Sequence, residues 1–340
     1  MSPASLAELW WRLLLPAAVQ ATPVLLLTAA LDLLLPRALA PFWRSALWLA
    51  AALKLVLPFP ALAPWGLLPR IQTTLAEPGA SLTAIAFLLP VLWLAGALTL
   101  AAGSALWMRR AIRRWKSSAT LVTHERLSQL AGSMGVAPPQ FYESPEVEGP
   151  FIAGLLRPAL FWPSDASFYL TDAEQDQAMR HELTHLVRRD PWRELAWFLL
   201  LAVFWFHPLV WWATRRMRAI REQACDRTTS RLPGHCADSY RAALLKTMAH
   251  AEGFVITPGL ALIDPRTPLT DRLALLRPQS GSLLRGLAGL AALAAILAAW
   301  PVLSWANQKS TAVAEWIVRP PGSLQLQYQV QQRLSEELSK

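Results

Sequence analysis

Residues 179–192 read MRHELTHLVRRDPW, and within them His181, Glu182 and His185 stand at HExxH spacing. On a helix, positions four apart share one face. Both imidazoles can therefore reach one zinc ion at about 2.0–2.1 Å, while Glu182, adjacent to the first ligand, meets the attacking water as general base. A catalytic zinc takes three protein ligands and keeps one position open. The third is expected from a nearby helix, and MRAIREQACDRTTS offers Glu222, with Asp226 one turn later to accept a hydrogen bond from a ligand histidine. His207 and Tyr240 are weaker candidates, as transition-state donors. His124, His235 and His250 have no ligand partner at useful spacing and receive no role.

These residues need elements to carry them. LTDAEQDQAMRHELTHLVRRDPW reads as one helix, opened by a capping box of Thr171 and Glu174 and stopped at Pro191. Between it and Glu222 lies an apolar segment, 195–213, long enough to cross a bilayer. Had it crossed, Glu222 and His181 would lie on opposite sides and no shared metal site could close. Arginines flank it at both ends and His207–Pro208 interrupts it, so a re-entrant hairpin that dips into the membrane and returns, or a helix packed against the spans, is expected, with a fifth span as the competing reading. Upstream, QFYES and ALFWP read as strands of a small sheet whose edge could hold an extended substrate. SYRAALLKTMAHAE, which carries Tyr240, is an amphipathic helix.

The rest of the 340-residue chain is that of a membrane protein: 54% hydrophobic, 16% charged, 17 tryptophans. Its net charge of +9 carries no nucleic-acid signature, and the arginines cluster beside apolar runs as in cytoplasmic loops, so no direct nucleic-acid partner is expected. Two cysteines, Cys225 and Cys236, make neither a disulfide framework nor a CxxC site.

The expected architecture is a mainly α membrane protein with four transmembrane helices and a cytoplasmic α+β domain. Three helices (about 13–35, 46–68 and 81–108) fill residues 1–108, a cytoplasmic zinc metallopeptidase domain fills 109–284, a fourth span covers 285–306, and 307–340 form a short extracytoplasmic tail. The basic run MRRAIRRWK after the third span sets the orientation. Asp32 and Lys54, inside spans, must either pair with each other or snorkel to the interface.

SPEVEGPFIAGLLRPALFWP, AMRHELTHLVRRDPW, FWFHPLVWWATRRMRAIREQACD and SYRAALL, in that order, resemble the membrane metallopeptidase domain of the beta-lactam sensor-transducers, the BlaR/MecR-type antirepressor family. The resemblance implies a gluzincin-like zinc endopeptidase of the bacterial cytoplasmic membrane. Zn2+ would be held by His181, His185 and Glu222, with Glu182 as base and Asp226 behind the ligands. It implies a cytoplasmic winged-helix transcriptional repressor as the protein lost after activation, with the bilayer, and a homodimer or separate sensor, as further partners. Family members that detect beta-lactams carry a penicillin-binding domain after the last span. Here about 34 residues follow it, without a convincing SxxK serine, so direct antibiotic sensing is not expected. The competing readings are a quality-control or prenyl-protein-type membrane protease and a non-catalytic docking receptor.

Overall fold

The computed structural model describes residues 5–6, 9–35, 39–57, 82–250 and 283–303. The second half of the expected 46–68 span and the tail 307–340 lie outside them. The described chain is mostly helical, with one four-stranded sheet, and it divides into two compact units.

The first unit takes Met1–Pro36, Ala46–Ala97 and Leu290–Lys340. A π-helical turn, Trp10–Leu14, leads into α1 (Leu15–Leu34). Ala17, Ala18, Ala21, Val24, Leu25 and Thr28 are buried along one side of α1. Asp32 and Lys54 are both fully buried, so neither snorkels. Asp32 receives the Trp48 indole N–H at 3.3 Å, a partner that makes burial of a carboxylate tolerable. Helix α2 (Pro41–Val56) begins in the second unit and continues into the first. Helix α3 (Leu82–Ser117) runs the other way, and it continues nine residues beyond the expected end at 108. Its basic stretch RRAIRRWK is therefore helix rather than loop; arginine and lysine are good helix formers. Among the described residues, Leu15–Leu34 and Leu88–Ser117 are long and apolar enough to cross a membrane.

The second unit takes Arg37–Ser45 and Leu98–Gly289 and holds the sheet. Strands β1 (Thr120–Val122), β2 (Gln140–Ser144), β3 (Phe151–Ala153) and β4 (Ala159–Pro163) form it, and α4 (Glu125–Ser133) follows β1. The order is β1-β2-β4-β3, with β2 and β4 parallel and β1 and β3 antiparallel at the edges. Strand β4 is the QFYES partner ALFWP, and all five of its residues are buried. Side chains alternate across a strand, and both faces are covered. Leu160 and Trp162 join Leu127, Phe141, Met179 and Leu183 in one core. Ala159 and Phe161 join Trp115 and Val147 in another, which packs the end of α3 against the sheet. The β3–β4 connection turns at Gly154, whose φ of +97° and close approach to the Arg157 carbonyl leave no room for a side chain.

A short helix, α5 (Ala166–Tyr169), precedes α6 (Asp172–Val187). The Thr171 hydroxyl accepts from the Glu174 N–H and the Glu174 carboxylate accepts from the Thr171 N–H, so the capping box is made. Pro191 does not stop this helix as read from the sequence. The chain turns at Arg189, whose φ is 57°, and Asp190–Val203 is a new helix, α7, with the proline in its first turn. Proline lacks an N–H that a first turn cannot use anyway, so it opens helices better than it closes them. The chain then bends at Phe204–His207, and α8 (Pro208–Thr229) packs back along α7. Helix α9 (Ala237–His250) lies against α6. The last described helix is α10 (Leu283–Leu303).

Candidate metal centre

Three helices meet at the HExxH face. The α6–α8 contact is fixed by side chains reaching across it: the Thr229 hydroxyl bonds that of Thr184 at 3.0 Å, and the Arg188 guanidinium reaches the Ala224 carbonyl and the Thr228 hydroxyl at 3.2 Å each. Residues 184 and 188 are one turn apart, as are 224 and 228, so two rungs set the register in which Glu222 faces the histidines.

His181 and His185 meet edge to face, with ring centroids 4.9 Å apart. The Nδ1 of each is already bonded, by different partners. That of His185 contacts Asp190 Oδ2 at 2.9 Å. That of His181 contacts the Tyr240 hydroxyl at 2.8 Å, and the hydroxyl donates onward to Asp226 Oδ1 at 2.6 Å. Since Tyr240 gives its own proton to Asp226, it accepts the His181 Nδ1–H; the carboxylate of Asp190 does the same for His185. These bonds assign the tautomer and leave Nε2 as the lone-pair nitrogen on both rings. Glu222 Oε2 lies 3.6 Å from His181 Nε2 and 3.8 Å from His185 Nε2. Ligand atoms held tetrahedrally at about 2.0–2.1 Å from zinc sit roughly 3.4 Å from one another. The separations from Glu222 to each of the two histidines come within a few tenths of an ångström of that value.

His181, His185 and Cys225 form a second possible donor set, with ligand atoms within 4.8 Å of one another. Cys225 Sγ is 3.6 Å from His181 Nδ1 and donates to the His181 carbonyl at 3.4 Å. It thus stands at the nitrogen that Tyr240 occupies. Burial, reinforced by the charges of Glu222, Asp226, Asp190 and Glu182, pushes its pKa well up. Glu222 faces Nε2 of both rings, whereas Cys225 stands at Nδ1 of His181.

Around this centre the charges are paired. Burial alone would raise the Asp190 carboxyl, but the hydrogen bond from His185 and the charge and hydrogen bond of Arg188 outweigh it and hold the pKa below the usual range. Arg193 also reaches Asp190, at 3.1 Å. Arg221 donates to Glu194 at 2.6 Å and to Glu222 Oε1 at 3.3 Å, holding the carboxylate oxygen that does not face the histidines. A cavity of about 620 Å³ opens here. Glu182, His185, Glu222 and the edge strand β3 line it together.

The structure gives other work to the two weaker candidates. The Tyr240 hydroxyl is spent on His181 and Asp226 and lies on the Nδ1 side, away from Glu222. His207 sits at the bend before α8, fifteen residues from Glu222, about 22 Å along a helix. A donor that far away cannot touch the reacting atoms. Asp226 stands 3.4 Å from His181 Nδ1 and acts on it chiefly through Tyr240. Asp190, Arg188, Glu194 and Arg221 were not picked out from the sequence. For Asp190 a signal existed: an Asp–Pro pair five residues after the second histidine marks a helix start, and a helix start there brings a carboxylate back to the preceding turn.

A mostly helical chain with two histidines one turn apart and acidic side chains beside a cavity has the kind of site that metallopeptidases carry. The profile of the BlaR1 peptidase M56 family matches residues 70–276, more than half of the sequence, and the chain belongs to that family. It is similar to the regulatory protein BlaR1 of Bacillus licheniformis, 35% identical over 83 residues. That match covers 24% of this chain and 14% of the relative.

Proposed function

We propose that this chain is a zinc-dependent endopeptidase of the bacterial cytoplasmic membrane. It has four transmembrane helices and a gluzincin-like catalytic domain on the cytoplasmic side, in which the α7–α8 bend dips into the inner leaflet. In this reading it is a signal-transducing antirepressor protease, and its substrate is a cytoplasmic winged-helix repressor. One observation carries it: the Glu222 carboxylate lies within 3.8 Å of the lone-pair nitrogens of both HExxH histidines. Glu182 and Glu222 also line one cavity with β3, an edge strand of the sheet among the described residues.

A zinc ion held by His181, His185 and Glu222 would supply Lewis acidity, polarising the scissile carbonyl and making water acidic. The chain's own residues do the rest. Strand β3 offers its open edge to an extended peptide by main-chain hydrogen bonds. Glu182, buried at the cavity wall, removes a proton from water and returns it to the leaving amine. Asp190 and the Tyr240–Asp226 pair hold the two imidazoles in orientation.

The test is metal analysis of the purified chain together with cleavage of a candidate repressor by wild type and Glu182→Gln. Loss of a general base should lower kcat by about 10²–10⁴-fold with metal content unchanged. Equal rates from the two proteins would sink the proposal.

A further inference from the structure

Glu222 has a neighbour one helical turn earlier that the catalytic reading does not use. Arg218 lines the same cavity and is only 8% exposed. Its Nε donates to Glu194 Oε1 at 2.7 Å and its Nη2 contacts the same oxygen, while Nη1 is buried with no hydrogen-bond partner in the described structure. A buried guanidinium N–H without an acceptor is costly and needs a reason. An acceptor that arrives with the substrate would provide one.

Two features define that acceptor. A carboxylate is gripped by the guanidinium fork through two parallel N–H groups, and here Nε and Nη2 are spent on Glu194. What remains suits a single neutral oxygen. The surrounding wall is apolar, with Met108, Ile112, Trp115, Phe151, Leu195 and Phe198 on it. Four residues of helix place Arg218 about 6 Å from Glu222 along the axis, the length of roughly two residues of extended chain.

We propose that Arg218 is a substrate-binding residue that donates Nη1–H to a main-chain carbonyl within two residues of the scissile bond, and that the neighbouring substrate side chain, seated in the cavity, is apolar. The proposal rests on the protease reading above and adds a preference for apolar over acidic peptide segments.

It can be tested by binding alone. The probe is a fluorescein-labelled Ala-Ala-Leu-Phe-Ala-Ala peptide, followed by fluorescence polarisation with the zinc-loaded, full-length chain in detergent, in a Glu182→Gln background that does not cleave it. Arg218→Gln should raise the Kd about 10- to 100-fold, the worth of a hydrogen bond to a charged donor. Arg218→Lys keeps a charge opposite Glu194 but lacks Nη1, and should weaken binding similarly at unchanged zinc content. Replacing Leu by Asp in the peptide should weaken binding to the Arg218 chain. The proposal is overturned by an unchanged Kd in Arg218→Gln, by full rescue with Lys, by loss of zinc from both variants, by tighter binding of the Asp peptide, or by no binding to the parent chain. Because polarisation needs no turnover, the protease reading fails separately, in the comparison of wild type with Glu182→Gln.

Discussion

The two histidines of the centre are four residues apart on one helix, yet they are held by different parts of the molecule. His185 is oriented by Asp190, five residues on, at the start of the next helix. The unusual backbone of Arg189 makes that short return, and Arg188 and Arg193 neutralise the carboxylate from the same stretch. His181 depends instead on Tyr240 of α9 and Asp226 of α8, 59 and 45 residues away in sequence, both essentially excluded from solvent. One half of the centre is local, made when a single turn forms. The other exists only once three helices have docked. A fault in docking should thus disable His181 first and spare His185.

The largest contrast is expected between Asp226→Asn and Asp190→Asn. Second-sphere partners of this kind are worth about 10–100-fold in metal affinity, and both variants should lose that much zinc binding in a chelator competition. Asp226→Asn should also lose about 1–3 kcal/mol of stability, because it perturbs a fully buried chain of hydrogen bonds. Asp190→Asn should lose less, since Arg188 keeps its bonds to Ala224 and Thr228 across the helix pair. Equal losses of thermal stability in the two would remove the distinction between local and assembled support.

Tyr240→Phe comes next. It deletes the hydroxyl between His181 and Asp226 without changing the packing, so about 1 kcal/mol of stability and roughly tenfold in zinc affinity should go. An oxyanion donor would behave otherwise: kcat would fall at unchanged metal affinity. Titrating zinc into the variant before assaying it separates the two roles.

How far the sequence could be read follows the same division. HExxH, the capping box at Thr171 and Glu174 and the strands QFYES and ALFWP are all local patterns, and residue types at fixed spacings report them. The α7–α8 bend was legible too, because His207–Pro208 and the flanking arginines argue against a straight crossing. What could not be read were contacts between residues far apart: that Tyr240 would close on His181 rather than face the substrate, and that Glu194 would gather Arg218 and Arg221 from another helix. Such pairings depend on the angle at which helices cross, and side-chain periodicity does not encode it. Asp190 was missed for a different reason. Read as a terminator, Pro191 hides that it stands in the first turn of α7, whose first residue is Asp190.

The smallest expected effect probes how α9, the carrier of Tyr240, is attached to α6. Lys246 reaches both oxygens of Glu174 at 2.8 and 2.7 Å, seven residues ahead of His181 and at the other end of the interface from Tyr240. Burial raises the Glu174 carboxyl, but the hydrogen bonds from Lys246 and the Thr171 backbone and the Lys246 charge win, so its pKa falls below the ordinary 4.5. For a carboxylate lowered on folding, the stabilisation is complete above the unfolded pKa and disappears as pH falls through the folded one. The tie between α6 and α9 should hold from neutrality to about pH 4.5 and weaken below it. Lys246 is well exposed at 43%, so solvent screens the pair and the change in stability should be small. The useful reading is local: in hydrogen exchange at decreasing pH, amides of α9 should lose protection before those of α6, and Lys246→Met should reduce that difference. If α9 and α6 exchange together at every pH in both proteins, the two helices open as one unit, and the support of His181 is no more separable than that of His185.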